Sequence, residues 1–245
     1  MPTPIKVAAQ VVEIVEHTVD LRSFVLVPSR RIPVCTPGQF LHLALDSFET
    51  GSHWPDSRVF SIASSPVDRE RLRITISRQG RFTTRMFEEL RVGSQVWLKL
   101  PYGTFCPNPD QPGRTVMIAG GSGITPFISF IEWAVAHRPT AAIDLHYGAR
   151  SSELLIYRSA IERCIVVGMV DLRVRYYVEQ TTHNEQLEPG LLLGRLSAEQ
   201  AWNWLDAPKA ARFYLSGPKA MIESFRSRLV ELGASESAVL SDDWG

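Results

Sequence analysis

Three short runs in this chain combine residue types that can hold phosphates or planar rings. Gly120-Gly121-Ser122-Gly123-Ile124-Thr125-Pro126 follows the apolar run Val116-Met117-Ile118-Ala119. Glycines let a backbone approach a pyrophosphate closely, and a helix opening at Pro126 offers unpaired N–H groups and the positive end of its dipole. A Gly-x-Gly-x-x-Gly fingerprint would place glycine where this chain has Pro126, so that fingerprint is lost while the helix start survives. Phosphate binding and a plain tight turn both stay open here. Ser216-Gly217-Pro218, after Phe213-Tyr214-Leu215, repeats the order strand, small residue, glycine, proline, helix. Two strand ends built alike suggest one shared ligand. Earlier, Arg58-Val59-Phe60-Ser61 joins a fixed cation, an aromatic ring and a hydroxyl, with positions 58 and 60 on one strand face. Arginine grips a diphosphate through two N–H donors and phenylalanine covers a planar ring. The alternative is one solvated arginine and one core phenylalanine.

Other chemistries find little support. The six histidines form no His-Glu-x-x-His pair, and the three cysteines, Cys35, Cys106 and Cys164, form no Cys-x-x-Cys, so no metal site is expected. Ser122 fails the Gly-x-Ser-x-Gly pattern because Ile124 stands last. Asp46 to Ser57 reads as a variable surface loop.

The elements that must position these runs fall into two halves. Val7 to Val15, Leu21 to Val27, Phe40 to Leu45, Arg58 to Ala63, Leu72 to Ser77 and Gln95 to Leu100 are short β-rich runs between Pro, Gly, Ser and Asp. They suggest a closed antiparallel barrel. One helix interrupts them, capped by Thr83 or Thr84 and stopped at Gly93. Cys106 to Gly113 is a linker by composition. Beyond it strand and helix alternate: Val116 to Ala119, Pro126 to His137, Ala142 to Tyr147, Glu153 to Cys164, Leu172 to Val178, Ala198 to Leu205, Phe213 to Leu215, Pro218 to Leu232. That order means a parallel sheet covered on both faces. The expected division is a barrel domain over 1–106, a linker over 107–114 and an α/β domain over 115–245.

Composition excludes several classes. The 245 residues carry 26 Lys+Arg against 26 Asp+Glu, with a sequence pI near 7.0, so no global field draws the chain to nucleic acid or an anionic membrane. Met1 to Gln10 does not read as a signal peptide. The longest apolar stretch, Val116 to Ala136, is broken by the glycine turn, Pro126 and Glu132, so no membrane insertion is expected. Free thiols suit a reducing cytoplasm.

Together these runs resemble the ferredoxin–NADP reductase superfamily over nearly the whole chain. Its members carry Arg-x-Tyr-Ser, a Gly-x-x-Ser/Thr turn, Gly-Gly-Thr/Ser-Gly-Ile-Thr-Pro and a late Cys-Gly-Pro. Here stand Arg58-Val59-Phe60-Ser61, Gly80-Arg81-Phe82-Thr83, Gly120 to Pro126 and Ser216-Gly217-Pro218. Pro37-Gly38-Gln39-Phe40, Ile62 to Pro66, Pro101 to Phe105 and Tyr147-Gly148-Ala149-Arg150 support the match.

The resemblance implies a barrel holding FAD, a sheet domain holding NADH or NADPH, and hydride transfer from nicotinamide to flavin. Electrons would go on to an external acceptor such as a ferredoxin or an oxygenase component. A relay subunit within a larger complex, or a free flavin or ferric reductase, is the alternative. By that analogy Arg58 holds the diphosphate, Val59 and Phe60 flank the flavin, and Ser61 faces its N5. The N–H groups from Gly80 to Thr84 meet the pyrophosphate. Gly120, Gly121, Ser122, Gly123, Thr125 and Pro126 hold the nicotinamide dinucleotide, with Arg150, Glu179, Gly217 and Pro218 around it. Ser61 and Ser216 are the catalytic candidates. Three departures stand out. Phe60 replaces a tyrosine, Ser216 replaces a cysteine, and the chain ends Ser241-Asp242-Asp243-Trp244-Gly245, with Trp244 a candidate flavin neighbour. Glu179, after Leu172 to Val178, would repel a 2′-phosphate and favours NADH, whereas Arg150 argues for NADPH.

Overall fold

The computed structural model describes residues 3–108, 113–137, 142–167, 171–180 and 190–242. Trp244 and much of the linker, Pro109 to Pro112, lie outside them. The chain divides into two compact units, one of Met1–Cys106 with Ile128–Trp133 and one of Pro107–Phe127 with Ala134–Gly245.

The first unit is a single antiparallel sheet curled into a barrel. Its strands are β1 (Ile5–Thr18), β2 (Leu21–Pro28), β3 (Phe40–Ala44), β4 (Ser57–Ser61), β5 (Leu72–Ser77) and β6 (Gln95–Tyr102), in the order β4-β3-β6-β1-β2-β5. Alternation builds the core: Val7, Ala9 and Val11 point in, beside Phe24, Leu26, Leu41, Leu43, Ile74 and Leu98. Register shifts between Val11 and Glu13 and between Glu16 and Thr18 bend β1 as it rounds the barrel. Just past the edge strand β4, the Ala63 N–H donates to the Arg73 carbonyl at 2.7 Å and nearly closes the barrel. Helix α1 (Arg81–Glu89) buries Phe82, Met86 and Phe87 in the same core.

Asp46 to Ser57 is anchored. The Phe48 ring centroid lies 5.3 Å from Trp54 and 5.7 Å from Trp97, and the Lys6 ammonium sits 4.3 Å from the Phe48 centroid.

The second unit is a parallel sheet of β7 (Thr115–Gly120), β8 (Ile143–Ala149), β9 (Leu172–Val178), β10 (Leu191–Leu193), β11 (Arg212–Ser216) and β12 (Val239–Ser241). Its order is β10-β9-β8-β7-β11-β12. All six residues of β7 are buried, as suits a central parallel strand covered on both faces. Helices α2 (Thr125–His137), α3 (Arg158–Val167), α4 (Ala198–Asn203) and α5 (Lys219–Leu232) connect the strands. The chain builds outward from β7 through β8 and β9 to β10, then restarts on the other side at β11. The switch therefore falls between β7 and β11.

Several local expectations are corrected. Gly80, not Thr83 or Thr84, is the N-cap of α1, because the Thr83 hydroxyl folds back from the third helical position. Helix α2 begins at Thr125, one residue before Pro126, and Gly121–Ile124 forms a 3₁₀ turn ahead of it. The helix expected over Glu153 to Cys164 is a 3₁₀ turn at Ser152–Leu154, then Tyr157 at φ 66°, and only then α3. Helix α4 stops at Asn203, two residues short of the expected Leu205. Strand β10 gave no periodic signal, since Leu191 is buried while Leu192 and Leu193 are exposed.

Candidate functional site

Within the first unit, β4 carries Arg58, Val59, Phe60 and Ser61 opposite Leu43, His42, Leu41 and Phe40 of β3. Phe60 is partly buried and packs against the core. Arg58 leaves the surface half exposed, and its guanidinium lies 5.3 Å from the centroid of the Phe82 ring. That contact joins β4 to the first turn of α1, bringing together two runs 22 positions apart in the sequence. Arg58 Nη1 also donates to Asp56 Oδ1 at 2.7 Å and to the Ser57 carbonyl at 2.8 Å. Asp56 is a partner the sequence reading missed.

The start of α1 is built to present its backbone. Gly80 is extended, at φ −165°, and nothing lies within 4 Å of the place a Cβ would take. Thr83 Oγ1 accepts the N–H groups of Gln79 at 3.0 Å and Gly80 at 3.1 Å, and the Thr84 N–H donates to the Gly80 carbonyl at 2.8 Å. The first N–H groups of any helix, here those of Arg81, Phe82 and Thr83, have no partner inside it. Next to Arg58 they form a cationic, donor-rich edge.

In the second unit the two glycine-containing strand ends meet at the switch between β7 and β11. A Cβ on Gly123 would stand 2.6 Å from the Gly217 nitrogen and closer still to the Ser216 carbonyl. One on Gly217, at φ 153°, would stand 2.8 Å from the Met221 methyl and 3.1 Å from the Gly120 Cα. Three glycines thus serve loop-against-loop packing, a use residue types alone do not reveal. Gly121 differs: at φ 54° it is left-handed and faces open space. The Thr125 hydroxyl donates to the Ser122 carbonyl at 3.0 Å and fixes the turn from within. Pro126 follows as the second residue of α2.

Ser216 is buried and donates from Oγ to Asp242 Oδ2 at 3.1 Å. Asp242 is itself buried, and its N–H reaches the Leu215 carbonyl at 2.9 Å. The sequence reading looked to Trp244 in this terminal run and missed Asp242, whose only signal was a carboxylate among its last residues. Pro218, the N-cap of α5, follows Gly217 directly.

At the other side of β7, the Glu179 N–H donates to the Ala149 carbonyl at 3.2 Å and the Gln180 N–H to the Arg150 carbonyl at 2.9 Å. Arg150 is exposed. Glu179 is not an isolated charge, because its Oε1 accepts from Arg195 Nε at 3.2 Å. Arg195 is another residue the sequence reading passed over.

The domain family described as "Oxidoreductase NAD-binding domain" matches residues 117–227, which contain the turns of the second unit but neither Asp242 nor the Arg58 and α1 edge of the first. A barrel followed by such a sheet, with the glycine turn at its switch, decides the assignment. Residues 117–227 form an oxidoreductase NAD-binding domain, and the chain has the two-unit fold of ferredoxin–NADP reductase-like modules. It is 32% identical over 178 residues, 69% of this chain and 49% of the relative, to the 3-ketosteroid-9-alpha-monooxygenase ferredoxin reductase component of Mycolicibacterium smegmatis. The protein of that name from Mycobacterium tuberculosis is 27% identical over 91% of this chain and 61% of its own length. The chain therefore spans half to about three fifths of these curated relatives. Among solved structures, the Amycolatopsis cytochrome P450 reductase GcoB superposes at TM-score 0.82 with 21% identity, over 98% of this chain and 70% of that one. A ferredoxin NADP+ reductase from Neisseria gonorrhoeae with bound FAD and NADP superposes at 0.76 with 21% identity, over 97% and 98%. At these identities the superpositions establish the fold of the superfamily module.

Proposed function

We propose that this module is an FAD-dependent NAD(P)H oxidoreductase that takes two electrons from a reduced nicotinamide and passes them to an external acceptor. The observation that carries the reading is the Arg58 guanidinium over Phe82 at the first turn of α1. It sets a cation with five N–H donors beside the free N–H groups of a helix start, a donor set suited to a diphosphate.

The residues fit FAD. Arg58 and the N–H groups of Arg81, Phe82 and Thr83 hold the diphosphate, Phe60 lies against the ring system, and Ser61 offers its hydroxyl to N5. Asp56 is no obstacle. An exposed ion pair is worth about 0–1 kcal/mol, so a diphosphate displaces that carboxylate at small cost. Bound FAD supplies the two-electron redox chemistry. Gly121, with the N–H groups that open the 3₁₀ turn ahead of α2, receives the nucleotide phosphates. Asp242 holds the Ser216 hydroxyl in one orientation, so that this side chain positions the nicotinamide ring.

Nicotinamide choice follows from Glu179. A carboxylate at the end of β9 repels a 2′-phosphate and accepts from a free 2′-hydroxyl. Arg195, largely exposed, offsets that charge only weakly. The reading is therefore NADH over NADPH. Relatives named as ferredoxin reductase components support a ferredoxin or an oxygenase component as acceptor.

The test is purified, FAD-loaded protein assayed with NADH and NADPH against a dye acceptor at matched salt. Steady turnover with higher kcat/KM for NADH is expected. Flavin-loaded protein without turnover would mean a relay subunit, and a clear NADPH preference would overturn the choice of nicotinamide.

A further inference from the structure

In the first unit, Arg30, Arg31 and Arg69 line a pocket of about 400 Å³ together with Ile5, Ile32 and Pro33. None of the six belongs to the flavin or nucleotide sets above. We propose that this pocket is an anion site for a small molecule carrying phosphate or carboxylate on an apolar skeleton. The inference stands apart from the flavin reading.

Two of the arginines are already held in place. Arg30 Nη2 donates to the Lys6 carbonyl at 3.0 Å, and Arg69 Nη2 to the Ile32 carbonyl at 2.8 Å. Each keeps further donors on a planar fork suited to oxyanions. Arg69 Nε is buried and finds no acceptor among the described residues.

Negative charge is missing where it would be expected. Among the described residues no carboxylate forms an ion pair with Arg30, Arg31 or Arg69. Asp68, which lines the narrower cleft next door with Arg69, gives Oδ1 to the N–H groups of Glu70 and Arg71. Cys35, in that same cleft, supplies no thiolate at neutral pH: burial pushes the thiol up to about 11, against the smaller pull of Arg69. Three like charges line one open depression in a chain whose net charge is zero. Ile5, Ile32 and Pro33 add an apolar wall, which is why a bare inorganic ion fits the lining less well than an anion on a hydrocarbon frame. The volume lies in the range of small-molecule sites, roughly 300–1,000 Å³.

The test is calorimetric titration of the FAD-loaded protein with phenyl phosphate and with phthalate, which share a ring and differ in the anion. At least one should bind saturably with Kd below about 1 mM. Arg31→Gln, an exposed position, should weaken that binding at least tenfold while flavin content and dye turnover stay as in the parent. Arg69→Lys, which keeps the charge and removes the fork, should weaken it as well. Tighter phenyl phosphate would assign a phosphate ligand, and tighter phthalate a carboxylate. Two results would overturn the proposal: no saturable binding by either probe up to about 10 mM, or affinity unchanged in Arg31→Gln.

Discussion

At the residue scale, the side chains easiest to assign a role are those whose chemistry does not depend on their neighbours. Arg58 is a fixed cation in any context, and its place on β4 beside the start of α1 is why it is proposed as the diphosphate partner. Arg58→Ala should lower flavin affinity by about 1.5–3 kcal/mol, the worth of a hydrogen-bonded charge, seen as flavin lost on gel filtration and a weaker Kd in fluorescence titration. Full flavin retention would remove Arg58 from the site. Ser61→Ala is expected to act differently: flavin content should hold while stopped-flow reduction slows, because a hydroxyl facing N5 matters most as charge develops there. Reduction rates within twofold of the parent would refute that role. The glycines could not be read this way. A glycine announces that something comes close, not what. Only the placement of Ser216 and Gly217 against Gly123 shows that a neighbouring loop, rather than a phosphate, needs that space. Asp242 was illegible for a related reason, since its hydrogen bond to Ser216 spans 26 positions.

At the element scale, strands were legible where burial alternates or where a longer apolar run is buried throughout. β1 alternates at Val7, Ala9 and Val11 and β7 is buried along its length; β10, a triple leucine on a sheet edge, is too short to carry either signal. The helix misplaced over Glu153 to Cys164 has apolar spacing enough, but Tyr157 in the left-handed region interrupts the chain before Arg158. The meeting of β7 and β11 yields a sharp expectation. Gly123→Ala must move backbone, not a flexible side chain, so it should cost about 1–3 kcal/mol in urea unfolding and raise KM for the nicotinamide with flavin content intact. A variant matching the parent in both would show that the two strand ends can give way.

On the same sheet, His146 of β8 lies buried with its Nδ1 3.0 Å from the Tyr177 hydroxyl of β9 and its ring against Trp204. Burial pulls its pKa from 6.5 to about 4; Asp144 opposes this, and Arg175 and Arg173 reinforce it. Asp144 is clamped by Arg114 and Arg173, whose hydrogen bonds outweigh the effect of burial and hold its carboxyl below the ordinary range. Below pH 6.5 the unfolded chain takes up a proton that folded His146 refuses. Its contribution is therefore complete above 6.5 and is lost as pH falls toward 4, by up to about 3 kcal/mol. Urea midpoints of His146→Gln should fall less steeply than those of the parent across that window. Parallel slopes would show that His146 does not set the acid limit.

At the scale of the whole molecule, the change of period near residue 106 was legible because a barrel and a parallel sheet bury their residues by different rules. The FAD contacts proposed above, from Arg58 to Ser61 and from Arg81 to Thr83, fall in the first compact unit. This makes flavin removal a test of the division of labour. A ligand bound only to the folded state adds RT ln(1 + [L]/Kd), about 4 kcal/mol at a thousandfold excess over Kd. Stripping the flavin withdraws that from whichever unit holds it. Hydrogen exchange on the apoprotein should lose protection in β4, β5 and α1, while β7 to β9 and α5 keep theirs, and a thermal scan should show the barrel transition moving down by several degrees. Readdition of FAD should restore both. Equal loss of protection in the two units would mean that they unfold as one cooperative body, and loss confined to the sheet unit would place the flavin away from Arg58.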